Sequence, residues 1–431
     1  MKVCVIGLGY IGLPTALHIA SNNISVIGYD IDKERINRIA NLDPIIQEPN
    51  IKNILYKVIT NKLFTVSHTL SPSDFYIIAV PTPCTKEKKA DLTAVWHAID
   101  TLSQILTQGN TIILESTVPI GTTQKIAQLL QERTGLTAGI DFFLAHCPER
   151  VLPGNIMKEL RENARIIGGI NQQSVNLVKK LYSSFVTGPL YLTNATTAEM
   201  IKLIENSARD VAIAFAHEIA TIAEKFNLNP YEIIELANKH PRVNILQPTC
   251  GVGGHCIPID PWFLIESFPQ NTTLLQAARA INEATPQRII HKINHTIATW
   301  KQKKQHDPRL LILGLTYKPN VDDIRESPAL YIAQTFAKKY THIAICEPYL
   351  SQESVHNLLN VSSTDISNGL SKSDIIICLV KHDQFNSLTI QDISDKVILD
   401  FCGLLYLPHQ KDTSNEYYFW PAQEIKFQEQ V

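Results

Sequence analysis

Short runs of nearly continuous Val, Ile, Leu and Phe alternate with longer helical patterns through the first half of the chain. They fall at VCVIG (3–7), SVIGYD (25–30), FYIIAV (75–80), TIILES (111–116) and FFLAH (142–146). Strand-like runs separated by helical stretches predict βαβ units and a parallel sheet. The runs lack the apolar–polar alternation of a half-solvated strand, so helices are expected on both faces, a doubly wound arrangement. From about Thr196 to Asn227 the period changes. Met200, Leu203, Ile204, Val211, Phe215, Ile219 and Ile222 recur at helical spacing and predict one long helix. A second helix is expected from about Leu274 to Lys301, and the Pro- and Gly-rich segment 240–262 reads as a loop between the two. After the charged linker KQKKQHDPR (301–309), strands return at LLILGL (310–315), HIAIC (342–346), DIIICLV (374–380) and VILDF (397–401). The pattern therefore predicts an α/β chain in three parts: an α/β domain over 1–195, a helical middle with a long central helix over 196–300, and a second α/β domain over 301–431.

At roughly 100–200 residues per domain, 431 residues suit two to four domains with cores of their own. Lys plus Arg number 39 and Asp plus Glu 41, a net charge of −2 that supplies no attractive field for a polyanion, so nucleic acid is not expected as a partner. The opening MKVCVIGLGYIGLPTALHIA could pass for a secretory signal, but three spaced glycines and Pro14 interrupt it. No uninterrupted apolar run of about 18 residues occurs, so no membrane span is expected. Eight cysteines without a short repeated spacing read as reduced thiols, and the chain as a cytoplasmic protein.

Gly7, Gly9 and Gly12 form GLGYIG directly after a predicted strand and directly before a helical run. The first glycine permits a tight turn, the second lets a pyrophosphate approach the backbone, and the third lets helix pack on strand. Asp30 ends the second strand, 18 residues after Gly12, where a carboxylate accepts the ribose hydroxyls of NAD. A 2′-phosphate there would face that charge, which favours NAD over NADP, although Arg35 nearby weakens the contrast. Tyr10 and Ile11 within the motif, and Pro81 and Thr82 of PTP (81–83) at a strand's carboxyl end, complete the expected Rossmann-like cofactor site, while a plain turn would also use the two prolines.

GVGGHCIPIDPW places Cys256 behind three glycines, with Asp260 four residues on. The glycines, Gly253 among them, admit a ligand closely, and backbone N–H groups can stabilise a thiolate or an oxyanion. A thiol of pKa near 8.5 needs positive charge to ionise at neutral pH, and Lys202 is a candidate source. Lys202 and Asn206 are i and i+4 on the long helix and share a face, whereas Glu199 and Glu205 read as solvated. The bland alternative for Cys256 is a small buried hydrophobe. Cys250, His255 and Cys256 lack the spacing of a zinc site, so no metal is expected. HCPER (146–150) puts Glu149 at the sheet's ligand edge as a general base or as a partner of Arg150, and STVP (116–119) puts Thr117 there as a water-orienting or turn hydroxyl.

GLGYIGLP, AVPTP, ESTVPIGTT, HCPERVLPG, AEMIKLIENSARD, GVGGHCIPIDPW and LGLTYKPNVDDIRESPA, in this order, resemble the UDP-glucose/GDP-mannose dehydrogenase family over nearly the whole chain. The resemblance implies a four-electron oxidation of a nucleotide sugar's C6 alcohol to a carboxylate with two NAD⁺ used in turn. It implies Cys256 as the nucleophile, Lys202 and Asn206 as oxyanion stabilisers, Asp260 and Thr117 for water and protons, and Glu149 for thioester hydrolysis. The UDP-sugar would be held by Glu149, Arg150, Val151, Gly253 and Lys318, with Arg325 reaching toward the cofactor. The long helix would form a homodimer core, and Arg242 would reach the partner's substrate. HCPERVLPG, HPRVNILQP and GHCxxxDPWF point to the branch acting on N-acetylated mannosamine rather than on plain UDP-glucose. Cys250 departs from the small residue of that pattern and puts a second thiol near Cys256 in sequence, where a redox-sensitive group is one reading and a packed side chain the expected one. Two rival readings are a single-step hydroxyacid dehydrogenase, which leaves Cys256 and the third domain unexplained, and a noncatalytic nucleotide-sensing module, which needs no Lys202, Asn206 and Cys256 set.

Overall fold

The structure, a computed structural model, describes residues 1–406 apart from 47, 152–153, 389–392 and 394. Residues 407–431 of the expected last domain, and Leu152 and Pro153 of HCPERVLPG, lie outside the described residues. The chain divides into two compact units: residues 1–206 with 262–271, and residues 207–261 with those from 272 onward.

In the first unit the elements run β1 (Lys2–Ile6), α1 (Gly12–Ser21), β2 (Ser25–Tyr29), α2 (Lys33–Ala40), α3 (Ile51–Thr60), β3 (Phe64–Ser67), β4 (Phe75–Ile78), α4 (Thr93–Ser103), β5 (Thr111–Leu114), α5 (Thr122–Thr134), β6 (Phe143–His146), α6 (Ile156–Glu162), β7 (Arg165–Gly169), α7 (Gln172–Tyr182) and β8 (Leu190–Asn194). They form an eight-stranded sheet in the order β3-β2-β1-β4-β5-β6-β7-β8. Strands β4, β5 and β6 are buried at every position, as strands covered on both faces must be. One core packs Leu13, Leu17, Ile36, Leu55 and Val178 on one face, and a second packs Ile99, Leu102, Ile126 and Leu130 on the other.

The expected parallel sheet holds with one exception: β6 and β7 pair antiparallel through only two residue pairs, and β7-α7-β8 is then a parallel unit of its own. Period and composition specify each βαβ unit, but the direction in which one unit docks on another's edge depends on which edge is free. Three strands escaped the sequence pattern. β3 and β8 are short and only partly buried, and β7 ends in Gly168 and Gly169, residues that strands disfavour.

The long predicted helix is α8 (Ala195–Lys225), and α9 (Pro230–Ala237), α10 (Asp260–Ser267) and α11 (Thr273–Lys304) follow. Asn229 accepts from the Tyr231 N–H and Pro230 occupies the first turn of α9, a local start signal present in the sequence. The second sheet contains β9 (Leu310–Leu313), β10 (Ile343–Cys346), β11 (Ile375–Cys378) and β12 (Val397–Asp400), all parallel in the order β10-β9-β11-β12. Helices α12 (Pro328–Ala337), α13 (Gln352–Leu359) and α14 (Ile366–Lys372) connect them. Each of the four strands read from the sequence is present.

Candidate active site

Each glycine of GLGYIG has its own physical reason. Gly7 adopts φ +93°, and a Cβ there would lie 2.8 Å from the Ala79 carbonyl oxygen. A Cβ on Gly12 would lie 1.8 Å from the Gly7 oxygen, so only glycine lets α1 start this close to β1. At Gly9 a Cβ would meet nothing within 4 Å, which leaves open space over the turn for a pyrophosphate. Asp30 is buried; its Oδ2 accepts from the Leu8 N–H at 2.8 Å and its Oδ1 from the Asp32 N–H at 2.9 Å. The Arg35 guanidinium donates to the same Oδ2 at 3.0 Å, so the cation that weakened the NAD argument is paired with the acid itself. Tyr10, beside the open turn, donates to Glu48 at 3.4 Å. Ile11 precedes α1, and Pro81 and Thr82 follow β4. The open turn, the α1 N-terminus and Asp30 fit NAD.

The carboxyl edge of β5 and β6 gathers the next set. Thr117 follows β5, a few residues ahead of the α5 N-terminus that Glu199 holds; Glu199 is fully buried rather than solvated, and its carboxylate accepts from Gly121 N (2.6 Å), Thr123 N (2.7 Å) and Thr123 Oγ1 (2.6 Å). Glu199 thus caps the start of α5 from α8, a pairing 76 residues long in sequence that no local pattern announces. Glu205 is not a free surface acid either, since it receives Arg150 Nη1 at 2.6 Å. Replacing Glu199 with Ala is expected to remove about 2–3 kcal/mol of stability in urea unfolding, by stranding two backbone donors and a hydroxyl. A loss under about 0.5 kcal/mol would show that the α5 N-terminus does not depend on the cap.

Glu149, beyond β6, is 8% exposed and bound on both oxygens: Arg165 Nη1 lies 2.6 Å from Oε2, and the Arg150 N–H donates to Oε1 at 2.6 Å. The partner that matters is therefore Arg165 on β7, 2% exposed, which the sequence reading missed because nothing local links Arg165 to HCPER. Arg165 also lies over the Tyr182 ring, and Tyr182 donates to the buried Glu115. Burial pushes Glu115 above the usual carboxylate range. Val151 follows Arg150 and is partly buried. Lys202 is 9% exposed, unlike an ordinary surface lysine. Burial pushes His146 down to about 3, with the Lys202 charge adding to the effect, so the imidazole is neutral beside that cation. Asn206 is one turn further along α8.

In the second unit, Cys256 is exposed, the one exposed thiol among eight free cysteines. Cys250 instead packs with Ile289, Ile293 and Ala329, and burial pushes its thiol up to about 12, which disposes of a second reactive thiol at that position. The Cys256 carbonyl accepts from the Ile259 and Asp260 N–H groups at 3.0 and 2.9 Å, a tight turn that leads into α10 with Asp260 as its first residue. The glycines ahead of it are there for close packing: a Cβ on Gly253 would lie 2.6 Å from the Glu326 oxygen, and one on Gly254 2.8 Å from the Tyr317 ring. The Gly254 N–H donates to the Arg325 carbonyl at 3.0 Å. Further back, Thr249 N donates to His217 Nε2 at 3.2 Å, while His217 Nδ1 meets Asn282 at 2.9 Å. Burial pushes His217 down to about 4, so it remains a neutral anchor for the loop.

Lys318 follows β9, its ammonium 5.8 Å from the Tyr317 ring centre. Arg325 donates to both oxygens of Asp323, at 2.6 to 3.1 Å. Arg242 is exposed, its N–H 3.3 Å from His240 Nδ1. Of the predicted set, Thr117, Glu149, Arg150, Lys202 and Asn206 belong to the first unit, and Arg242, Gly253, Cys256, Asp260, Lys318 and Arg325 to the second.

Comparison with known proteins matches three domains of one family, the UDP-glucose/GDP-mannose dehydrogenases: the NAD binding domain at residues 1–186, the central domain at 196–284 and the UDP binding domain at 311–406. A UDP-N-acetyl-D-mannosamine dehydrogenase of Methanocaldococcus jannaschii is 42% identical over 94% of this chain and 92% of its own. An NDP-N-acetyl-D-galactosaminuronic acid dehydrogenase of Ralstonia nicotianae is 38% identical over 93% and 96%. Among solved structures, the UDP-D-ManNAc dehydrogenase of Pyrococcus horikoshii is 40% identical, with a TM-score of 0.85 over 95% of this chain and 97% of that one.

Proposed function

Because the chain belongs to the UDP-glucose/GDP-mannose dehydrogenase family and is an NAD-dependent nucleotide-sugar dehydrogenase, we propose that it oxidises UDP-N-acetyl-D-mannosamine at C6 to the mannosaminuronate through a thioester on Cys256. The observation that carries the covalent route is the exposed thiol of Cys256 in a chain whose other cysteines are wholly or partly buried. An enzyme that stopped at the aldehyde would need no nucleophile. With one, the aldehyde stays bound and its second oxidation yields an ester that water cleaves.

Bound NAD supplies the hydride acceptor for each of the two oxidations. In the first, Asp260 and Thr117 take the proton of the C6 alcohol by way of water. The Cys256 thiolate then adds to the aldehyde carbon, and Lys202 and Asn206 hold the resulting oxyanion. Loss of hydride gives the thioester, and Glu149 takes a proton from the water that cleaves it, returning the thiol and releasing the carboxylate. Overall, one alcohol, two NAD⁺ and one water give one carboxylate, two NADH and three protons. Lys318 takes the diphosphate, beside Gly253, Arg150 and Val151 on the sugar, and Arg325 serves the cofactor. The parts divide the work as an NAD-binding domain (1–195), a dimerising middle (196–300) and a UDP-sugar-binding domain (301–431).

A homodimer through α8 is supported by Phe215 and Ile222, which are 52% and 60% exposed and, seven residues apart, share one helical face. Arg242 would serve the substrate of the other copy. No helix among the described residues is long and apolar enough to cross a membrane. The eight free thiols support a reducing, cytoplasmic setting and the near-balanced charge a protein that binds no nucleic acid; the uronate would be used in polysaccharide synthesis. The test is to supply UDP-N-acetylmannosamine, UDP-N-acetylglucosamine, UDP-N-acetylgalactosamine and UDP-glucose with NAD⁺ and to count NADH per sugar consumed. About two with the mannosamine is expected. About one means that oxidation stops at the aldehyde, and preference for another sugar replaces the substrate.

A further inference from the structure

The second sheet repeats, in its own way, the device that holds Asp30 in the first. Asp30 follows β2 and accepts the N–H of Leu8, the residue after Gly7; Glu347 follows β10 and accepts the N–H of Leu315, the residue after Gly314, at 2.6 Å. Gly7 and Gly314 have φ of +93° and +88°. The other oxygen of each acid takes the N–H two residues on, Asp32 at 2.9 Å and Tyr349 at 2.9 Å. The two acids part company in what covers them. Arg35 on Asp30 is itself 36% exposed, but Glu347 is covered by His382, which is fully buried at 3.2 Å and stacked under the Tyr349 ring with centres 5.0 Å apart. A ribose cannot displace that ring without unpacking it, so Glu347 does not take the part that Asp30 takes.

The residues tied to this pair belong to one loop. Glu347 also accepts from Thr316 N at 3.3 Å, and Thr316 Oγ1 donates to the Lys318 carbonyl at 2.9 Å. His382 Nδ1 accepts the Asn320 N–H at 3.0 Å, so the ring proton is on Nε2 and is donated to Glu347. Asn320, in the left-handed region at φ +62°, accepts through Oδ1 from Asp383 N at 3.0 Å and from Tyr349 Oη at 3.2 Å. Both ends of the segment 315–320 are therefore fastened to one buried imidazole–carboxylate pair, with Lys318 between the fastenings. We infer that His382 and Glu347 are positioning residues for the UDP diphosphate, acting through the loop that carries Lys318. The inference rests on the reading of Lys318 as the diphosphate cation.

The test uses the full chain and UDP itself, with affinities for UDP and NAD⁺ measured by calorimetry on the wild type, Lys318→Ala, His382→Phe and His382→Asn. Phe keeps the ring that stacks on Tyr349 and removes both hydrogen bonds; Asn restores a donor and an acceptor. Expected is a UDP Kd raised at least tenfold in Lys318→Ala and His382→Phe, partial recovery in His382→Asn, and an NAD⁺ Kd within twofold of wild type throughout. If Lys318→Ala weakens UDP and His382→Phe does not, the inference is overturned and the reading of Lys318 survives. If Lys318→Ala leaves UDP untouched, that reading falls and takes the inference with it. Should His382→Phe not fold, Glu347→Gln is nearly isosteric and leaves one side-chain oxygen where two accept now, so the Leu315 and Tyr349 N–H groups can no longer both be held. A severalfold rise in the UDP Kd of that variant supports the fastening, and an unchanged Kd overturns it.

Discussion

Cys256→Ser is expected to lower uronate formation by at least about 10³-fold, because a serine hydroxyl has almost no anion at neutral pH and is a far weaker nucleophile than a thiolate. The exchange is nearly isosteric at an exposed position, so folding and the NAD⁺ site should be untouched. The informative measurement is the pair of quantities together: NADH formed per sugar in the presence of UDP-N-acetylmannosamine, and the Kd for NAD⁺. Loss of the first with the second within twofold of wild type fits a nucleophile. Wild-type turnover in the serine variant would mean that the sulfur takes no part in the reaction. Alkylation by iodoacetamide offers a check, since Cys256 should react first while Cys4, Cys147 and Cys250, whose thiols burial pushes up to about 12, stay unmodified.

Asp30→Ala should weaken NAD⁺ by about 10–150-fold, the equivalent of losing hydrogen bonds from a charged acceptor worth about 1.5–3 kcal/mol. Two effects combine. The ribose hydroxyls lose their acceptor, and the turn loosens as the Leu8 and Asp32 N–H groups lose theirs. Arg35 is also released from its 3.0 Å contact, so the preference for NAD⁺ over NADP⁺ should shrink or reverse. Asp30→Asn keeps an acceptor for Leu8 and should be intermediate. UDP affinity is the control: an equal fall in UDP binding would mean that the whole chain had been perturbed and that the cradle had not been tested.

How much of this was readable beforehand follows from how far apart the interacting residues lie. The βαβ units, both long helices and the four strands of the second sheet were legible because helix and strand periods are local. So was the cradle, since Gly7, Gly9, Gly12 and Asp30 act within one turn and two adjacent strands. The strand β7 was not legible: a Cβ on its Gly168 would lie 2.5 Å from the Asn194 oxygen, a crowding that exists only once β8 and α8 are in place, and one on Gly169 would lie 2.6 Å from Val175 of α7. Met200 and Phe215 fit the helical period that predicted α8, yet they are about half exposed, since a period reveals which residues share a face and not what covers that face.

The chain's order of residues determined the βαβ units and the NAD cradle, because each is set by contacts between near neighbours or by a backbone conformation that one residue type permits. The tertiary structure alone decided that Glu199 caps α5, that Arg165 holds Glu149, and that Glu347 is sealed under His382. Those pairs are separated by 76, 16 and 35 residues, and a carboxylate taken out of water is stable only where folding delivers a donor to it.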